Sequence, residues 1–518
     1  MAEKSRSEYS IINMATTLPG FFLDMLLGFC CRIIFVRTLS ADYLGVNGLF
    51  GNVLSMLSLA ELGVGSAITY ALYKPIAEHN ESKIASLMLF YKKAYAIIGV
   101  VIGIVGLGMI PFLDFIIREP PAIKENLYLI YCLYLANTVV SYFFRYRGSL
   151  LSAMQRNYIV DIYSYLQAII QSVLQIVFLL LTHEYIYYLL IQILCVIGYN
   201  ICLSNKAKKD YPYICANNIT EIPKDEKKTI LRNVKALMIG KLCAILVNNT
   251  DYIVITFFNG ISSVGYASNY LLFSRTLDKL VTGTFNGLVG SVGNLNAISD
   301  DDRKYSFFKS YNLATFWLFG WAAIGIMVVA SDMVQLLFGA EYVMEPRVPI
   351  IIGINMFSIG MMHAVYTYKS TLGLFRYGQY IGLFTGSINI AMDIILGKYY
   401  GVFGIFLATL IARLLTTLWY EPYAVFRYGI HKKPILYFIR YFEFIVILAL
   451  TYTLCELFCQ LLHTNIFVTV LLEIVICSVI FNGFFFLYFS RTDELQYLIR
   501  SISSILEKIK RRFTRKQR

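Results

Sequence analysis

Residues 466–489 read IFVTVLLEIVICSVIFNGFFFLYF, an apolar run interrupted by a single charge, Glu473. A helix needs about 20 mostly apolar residues to cross the hydrocarbon core of a bilayer, and this stretch supplies them. Runs of the same kind recur along the chain. They predict spans near 10–36, 44–70, 94–117, 124–144, 157–181 and 184–204, then 232–258, 264–296, 310–331, 347–369, 377–397 and 402–426, and finally 435–461 and 466–489. The long segment 264–296 is expected to include turns as well as membrane-embedded residues.

Composition agrees. Of 518 residues, 58% are hydrophobic and 15% charged, whereas a soluble domain is about 45–50% apolar and about 25% charged. No soluble interior hides so much apolar surface. Met1–Tyr9 is polar, and the run that follows reaches Val36 without a small-residue cleavage site, so it reads as a retained first span rather than a signal peptide.

The net charge of +13 does not point to nucleic acid, because the basic residues lie between the apolar runs and in the tail, where positive-inside topology accounts for them. With the N-terminus inside, the cytoplasmic loops collect Lys74, Lys83, Lys92, Lys93, Arg145, Arg147, Arg156, Lys206, Lys208, Lys209, Arg303, Lys304, Arg427, Lys432 and Lys433, among others. The outer loops keep Arg37, Arg118, Lys124, Arg347 and Lys398. The asymmetry calls for an even number of spans and places both termini in the cytoplasm. Ten cysteines are scattered through the chain without the C-x-x-C spacing of a zinc or redox site, so neither metal nor cofactor is expected.

The sequence therefore predicts an all-α integral membrane protein of about fourteen transmembrane helices. Residues 1–204 form a six-helix bundle, 205–231 a cytoplasmic linker, 232–426 a second six-helix bundle, 427–489 two additional helices, and 490–518 a tail. A constant shift of 220 pairs Asn13 with Asn233, Gly20 with Gly240, Leu26 with Leu246, Gly45 with Gly265 and Gly63 with Gly283. These matches suggest that the bundles are pseudo-symmetric, parallel repeats. In the tail, Leu495, Leu498, Ile499, Ile502, Ile505, Leu506, Ile509 and Phe513 recur at helical spacing among Lys508, Lys510, Arg511 and Arg512, the pattern of a basic amphipathic helix on a membrane surface.

Ionisable residues in apolar spans cost at least about 2.5–3.5 kcal/mol each on insertion scales, so they mark function or a pairing that offsets the cost. Asp24 and Arg32 share the first span, Glu61 lies in the second, and Lys241 and Asp251 in the seventh. Arg275, Asp278 and Lys279 follow in the eighth, Asp393 in the eleventh and Arg413 in the twelfth. Any one of these could instead neutralise a neighbour in a structural pair. As a set, the cations Arg32, Lys241, Arg275, Lys279 and Arg413 suit a wet cavity for an anionic substrate. Arginine in particular offers a planar fork to phosphate. Glu443, Glu456, Glu473 and the lone His363 have no assigned role at this level.

The run with Asn13, Arg32-Ile-Ile-Phe-Val-Arg37-Thr-Leu and Tyr43-Leu-Gly45, continued by Leu59-Ala-Glu61-Leu-Gly63-Val-Gly65-Ser-Ala and Ala71-Leu-Tyr-Lys-Pro75, resembles the Wzx-type polysaccharide repeat-unit flippases. That family belongs to the superfamily of the multidrug extruders and the lipid II flippases. The resemblance is sharpest over residues 10–75, with a weaker echo near 232–275. It implies alternating access through a central cavity. The implied substrate is an undecaprenyl-diphosphate-linked oligosaccharide moved from the inner to the outer leaflet of the bacterial cytoplasmic membrane for capsular or other surface polysaccharide. It also implies coupling to a Na+ or H+ gradient or to the membrane potential, for which Asp24, Glu61 and Asp251 are the candidate acids. Membrane lipids and other polysaccharide-assembly proteins are the expected partners.

Two rivals remain at this level. A multidrug exporter of the same superfamily would favour an acidic cavity. A membrane-embedded polymerase or glycosyltransferase would need a large outer loop or a metal-binding acidic motif, and Asp300-Asp301-Asp302 is the sole acidic cluster. A transporter rather than an enzyme is expected.

Overall fold

The computed structural model describes residues 6–57, 64–154, 156–216, 219–228, 230–231, 234, 250–286 and 288–500. Every regular element among these residues is helical. Among the described residues eight helices are long and apolar enough to cross a membrane, or nine if one bent pair counts as a single span. This is the all-α membrane architecture expected from the sequence. The chain divides into two compact units, Met1–Gly265 and Tyr266–Arg518.

The first unit contains α1 (Arg6–Thr38), α2 (Ala41–Leu57), α3 (Val64–Ala77), α4 (Glu81–Gly108), α5 (Ile110–Ile116), α6 (Leu127–Ala153), α7 (Asn157–Thr182), α8 (Tyr185–Asp210), α9 (Asp251–Asn259) and the first turn of α10 (Ile261–Asn286). Helix α1 packs along α7, and α6 lies against both α4 and α8. Asn80 starts α4 by accepting from the Lys83 amide at 2.9 Å, and Asn126 does the same for α6 from Tyr128 at 2.8 Å. Both relieve amides that a helix start leaves unpaired.

The span expected at 94–117 is instead α4, which begins at Glu81, followed across Met109 by the short α5. Hydropathy misplaces it because the first turns of α4 carry Lys83, Lys92 and Lys93. The segment after α8 is strapped to α4. Lys83 pairs with Glu226 and Lys93 with Glu221, while Ser86 Oγ meets Thr220 Oγ1 at 3.4 Å. Two lysines that look like simple topology signals thus hold residues 220–226 in place. The Lys93 ammonium holds the Glu221 carboxyl below the usual carboxylate range.

The 220-residue shift has a physical counterpart within this unit. Ser262 donates to Asp42, its partner at that shift. A Cβ on Gly45 would lie 2.0 Å from the Ile261 carbonyl oxygen, and one on Gly265 would lie 2.5 Å from the Ala41 carbonyl oxygen. At that shift residues 41 and 45 correspond to 261 and 265, so the two approaches are reciprocal, as a local two-fold axis requires. Backbone cannot yield as a flexible side chain does. Gly45→Ala and Gly265→Ala are each expected to destabilise the protein by about 1–3 kcal/mol, measured as a fall in thermal midpoint in lipid nanodiscs. Gly51→Ala, where a Cβ meets nothing within 4 Å, should leave the midpoint in place.

The second unit holds the rest of α10, then α11 (Val289–Ile298), α12 (Asp301–Phe338), α13 (Arg347–Thr371), α14 (Ile381–Leu415), α15 (Thr417–Val425), α16 (Ile435–Cys459) and α17 (Ile466–Phe489). The segment expected at 264–296 is broken between α10 and α11. At 38 residues and about 1.5 Å per residue, α12 outruns a hydrocarbon core of about 30 Å. Its first turn, capped by Asp300, carries Asp301 and Asp302, which pair with His431 and Lys432.

Helix α14 breaks at Gly401 (φ 57°, ψ −140°), a conformation glycine reaches without a Cβ penalty. The break separates the passes expected at 377–397 and 402–426. Helices α16 and α17 pack on α12 through an aromatic core. Phe316 stacks on Phe444 with centroids 4.2 Å apart, and Phe481, Phe485 and Phe489 close around it.

The tail starts as a helix at 493–500, but its first apolar residue, Leu495, is buried in this core. Lys309 pairs with the adjacent Glu494 at 3.0 Å. Residues 501–518 lie outside the described residues.

Candidate functional site

Arg32 lies on α1, six residues before its end at Thr38, and is half-buried. Four phenols act on its guanidinium: Tyr134 of α6, Tyr185 and Tyr188 of α8, and Tyr252 of α9. These phenols belong to a wider network. Tyr134 donates to Asn47 of α2 and shares a 2.8 Å hydrogen bond with Tyr185. Glu125 accepts from the Tyr43 hydroxyl and from the Tyr185 amide, the latter at 3.2 Å.

Cys31, next to Arg32, packs its thiol 3.9 Å from both Gln175 Oε1 and the Tyr188 hydroxyl. Gln175 ends a ladder along α7 in which Gln167 donates to Gln171 at 3.0 Å and Gln171 to Gln175 at 3.4 Å. The i, i+4 spacing places the three amides on one helix face. A guanidinium is thereby set beside a network of phenol and amide groups that reaches the Glu125 carboxyl.

Asp24 is exposed on α1 and acts, with Asp161 of α7, on the Tyr165 phenol. Tyr165 fills the space over Gly20. Gly28, between Asp24 and Arg32, meets nothing within 4 Å of where its Cβ would be. Asp251 stands in the first turn of α9, where a carboxylate suits the positive end of the helix dipole. Glu61 and Lys241 lie outside the described residues.

In the second unit Arg275 and Lys279 are both exposed and one turn apart in the middle of α10, and Gly283 and Thr284 extend the exposed face. Among the described residues Lys279 makes no ion pair. Asp278 is half-buried beside them. Arg413 sits differently. It is buried and donates from Nη1 to Asn355 Oδ1 at 3.2 Å, while Asn355 donates to the Phe406 carbonyl at 2.8 Å. Asp393 is fully enclosed and accepts from Asn389 Nδ2 at 3.1 Å, and the same nitrogen lies 3.2 Å from Thr409 Oγ1. His363 faces the Tyr311 hydroxyl at 3.2 Å.

Sequence reasoning missed the phenol–amide network, including Glu125 and the glutamine ladder. It also missed Lys369 of α13 and Glu421 of α15, whose ammonium and carboxylate meet at 2.6 Å. The glutamine spacing was visible as a pattern, whereas Glu125 sits in a loop and carried no signal.

No family model matches the sequence, and no curated protein matches it either. Solved structures do. The lipid II flippase MurJ, in an inward closed conformation, aligns over 92% of this chain and 99% of its own, with a TM-score of 0.67 at 15% identity. The Vibrio cholerae MATE transporter VcmN aligns over 81% of this chain and 96% of its own, with a TM-score of 0.57 at 14% identity. A multidrug resistance MATE transporter of the MOP superfamily, facing inward, reaches 0.54 over 77% of this chain. The chain has the fold of the MOP-superfamily transporters. All three neighbours are transporters rather than enzymes. MurJ covers more of this chain than the two MATE structures do, 92% against 81% and 77%.

Proposed function

We propose that this protein moves a polyprenyl-diphosphate-linked oligosaccharide across the bacterial cytoplasmic membrane by alternating access, for surface or capsular polysaccharide. The observation that carries this reading is cationic. Arg32 stands among uncharged phenols, and Arg275 and Lys279 are exposed in mid-helix. Cations carried among apolar helices are balanced by water, by a neighbouring group or by an anion. A diphosphate head group supplies the anion, and its forked contacts to arginine are short and charge-assisted. Lys241, which lies outside the described residues, and the enclosed Arg413 complete the proposed cationic set, Arg413 through its hold on Asn355. The extent of the likeness to MurJ, a flippase of a lipid-linked substrate by name, supports the same class of cargo.

Coupling to a Na+ or H+ gradient falls to Asp24, Glu61 or Asp251, and the enclosed Asp393–Asn389–Thr409 cluster adds an oxygen-lined alternative. A multidrug exporter is the rival reading, and the MATE neighbours keep it open. The two separate in reconstituted vesicles. The proposal expects leaflet-to-leaflet movement of a diphosphate-linked glycolipid and no uptake of a cationic dye. Dye uptake with a stationary glycolipid would overturn it.

A further inference from the structure

In the second unit a cavity of about 270 Å³ opens where the start of α12, the start of α16 and the residues just past α17 come together. It involves none of the cationic positions above. Its charged lining is two ion pairs, Lys309 with Glu494 at 3.0 Å and Arg440 with Glu443 at 2.6 Å. All four side chains are half-buried, and the Arg440 guanidinium also lies 4.9 Å from the centroid of the Phe489 ring. Asn312 and Tyr437 line the inner wall and are 3% and 2% exposed. Asn312 Oδ1 and the Tyr437 hydroxyl are buried with no hydrogen-bond partner among the described residues. Leu436 and Ile439 complete the lining and are exposed, forming the rim.

Buried polar atoms are almost always paired, so an unpaired acceptor and an unpaired hydroxyl on one cavity call for an occupant. The cavity is several times larger than the share of one water, about 30 Å³. The ion pairs leave capacity unused, because an ammonium or a guanidinium carries more donors than one carboxylate contact takes up. Two cations and two acids balance each other, so the lining suits a head group with both signs of charge better than a bare anion. A phosphate fits against Lys309, Arg440 and the Tyr437 hydroxyl. An ammonium with N–H donors fits against Glu443, Glu494 and Asn312 Oδ1. The rim adds a third requirement. Leu436, Ile439, Phe442, Val446 and Leu450 are all exposed and recur at helical spacing, so an apolar stripe runs from the cavity along α16. An occupant that matches both head and stripe is amphipathic.

We propose that this cavity is a phospholipid site, seating the zwitterionic head of a phosphatidylethanolamine whose acyl chains lie along the α16 stripe. Its place in the fold agrees. At 38 residues and about 1.5 Å per residue, α12 projects beyond the hydrocarbon core, and charged side chains near such helix ends reach the head-group level. The bound lipid bridges α12, α16 and the segment after α17, and so fastens the last two helices to α12.

The test uses the full-length protein in detergent and involves no transport, so it stands or falls separately from the flippase reading. Native mass spectrometry is run with equal amounts of phosphatidylethanolamine, phosphatidylcholine and phosphatidylglycerol. One phosphatidylethanolamine should be retained about tenfold over either of the others, the effect of one hydrogen bond to a charged group. Choline has no N–H donor, and the glycerol head has no positive charge. Phosphatidylethanolamine should also raise the thermal midpoint more than the other two lipids do. Tyr437→Phe and Glu443→Gln should each abolish the selectivity and the lipid-dependent rise. Without added lipid the midpoint of Tyr437→Phe should match the wild type, because the hydroxyl has no partner to lose among the described residues. A purely structural role would lower that midpoint and leave the lipid-dependent rise intact. Soluble phosphoethanolamine, the head without the chains, should displace the lipid only at far higher concentration. Equal retention of the three lipids, a preference for phosphatidylglycerol, displacement by phosphoethanolamine at equal concentration, or wild-type selectivity in either variant that folds overturns the proposal.

Discussion

Arg32→Ala and Arg275→Ala are each expected to slow translocation of a diphosphate-linked glycolipid roughly ten- to hundredfold at equal protein abundance. A hydrogen bond to a charged group contributes about 1.5–3 kcal/mol, and removing the guanidinium forfeits at least one such bond to the diphosphate. The phenols around Arg32 cannot replace it, since a neutral hydroxyl offers no compensating charge. Arg32→Lys keeps the charge but loses the fork and should fall between wild type and alanine. Lys74→Ala serves as the reference. Lys74 is largely exposed, in a 3.8 Å pair with Glu78 of the kind that contributes little, and its removal should leave the rate unchanged. Wild-type rates in both arginine variants would end the cationic-route reading.

Lys369→Met should destabilise the protein more than either glycine substitution does. Its ammonium lies 2.7 Å and 2.6 Å from the two carboxylate oxygens of Glu421, and the side chains are 16% and 4% exposed. Removing one member of a buried pair strands the other charge, at a cost of about 3–5 kcal/mol. A fall in thermal midpoint on the order of 10 °C is expected, together with reduced yield. The double variant Lys369→Met/Glu421→Leu removes both charges and should recover most of that loss. If the double variant is no better than Lys369→Met alone, packing rather than the ion pair accounts for the effect.

The membrane passes were legible wherever apolarity is continuous. Helix α17 occupies the expected 466–489, and α7 begins at the expected residue 157. They were misread where a helix begins in polar sequence. Hydropathy cannot register the lysine-bearing start of α4, because a helix end outside the hydrocarbon costs nothing in charge. The charged candidates were legible by their cost of insertion. Their surroundings were not, because Tyr134, Tyr185, Asn47 and Gln175 carry no comparable penalty and look like ordinary interior residues until the helices are assembled.

The reciprocal approach of α2 and the first turn of α10 has an evolutionary consequence. A patch that meets its own 220-residue image is self-complementary, the form of contact that two identical subunits make about a two-fold axis. If the 220-residue match records a duplication, a half-length chain is expected to close on a second copy of itself through this patch. Asp42 and Ser262 now hold one side of the patch as acceptor and donor, a division of labour that identical halves could not have had.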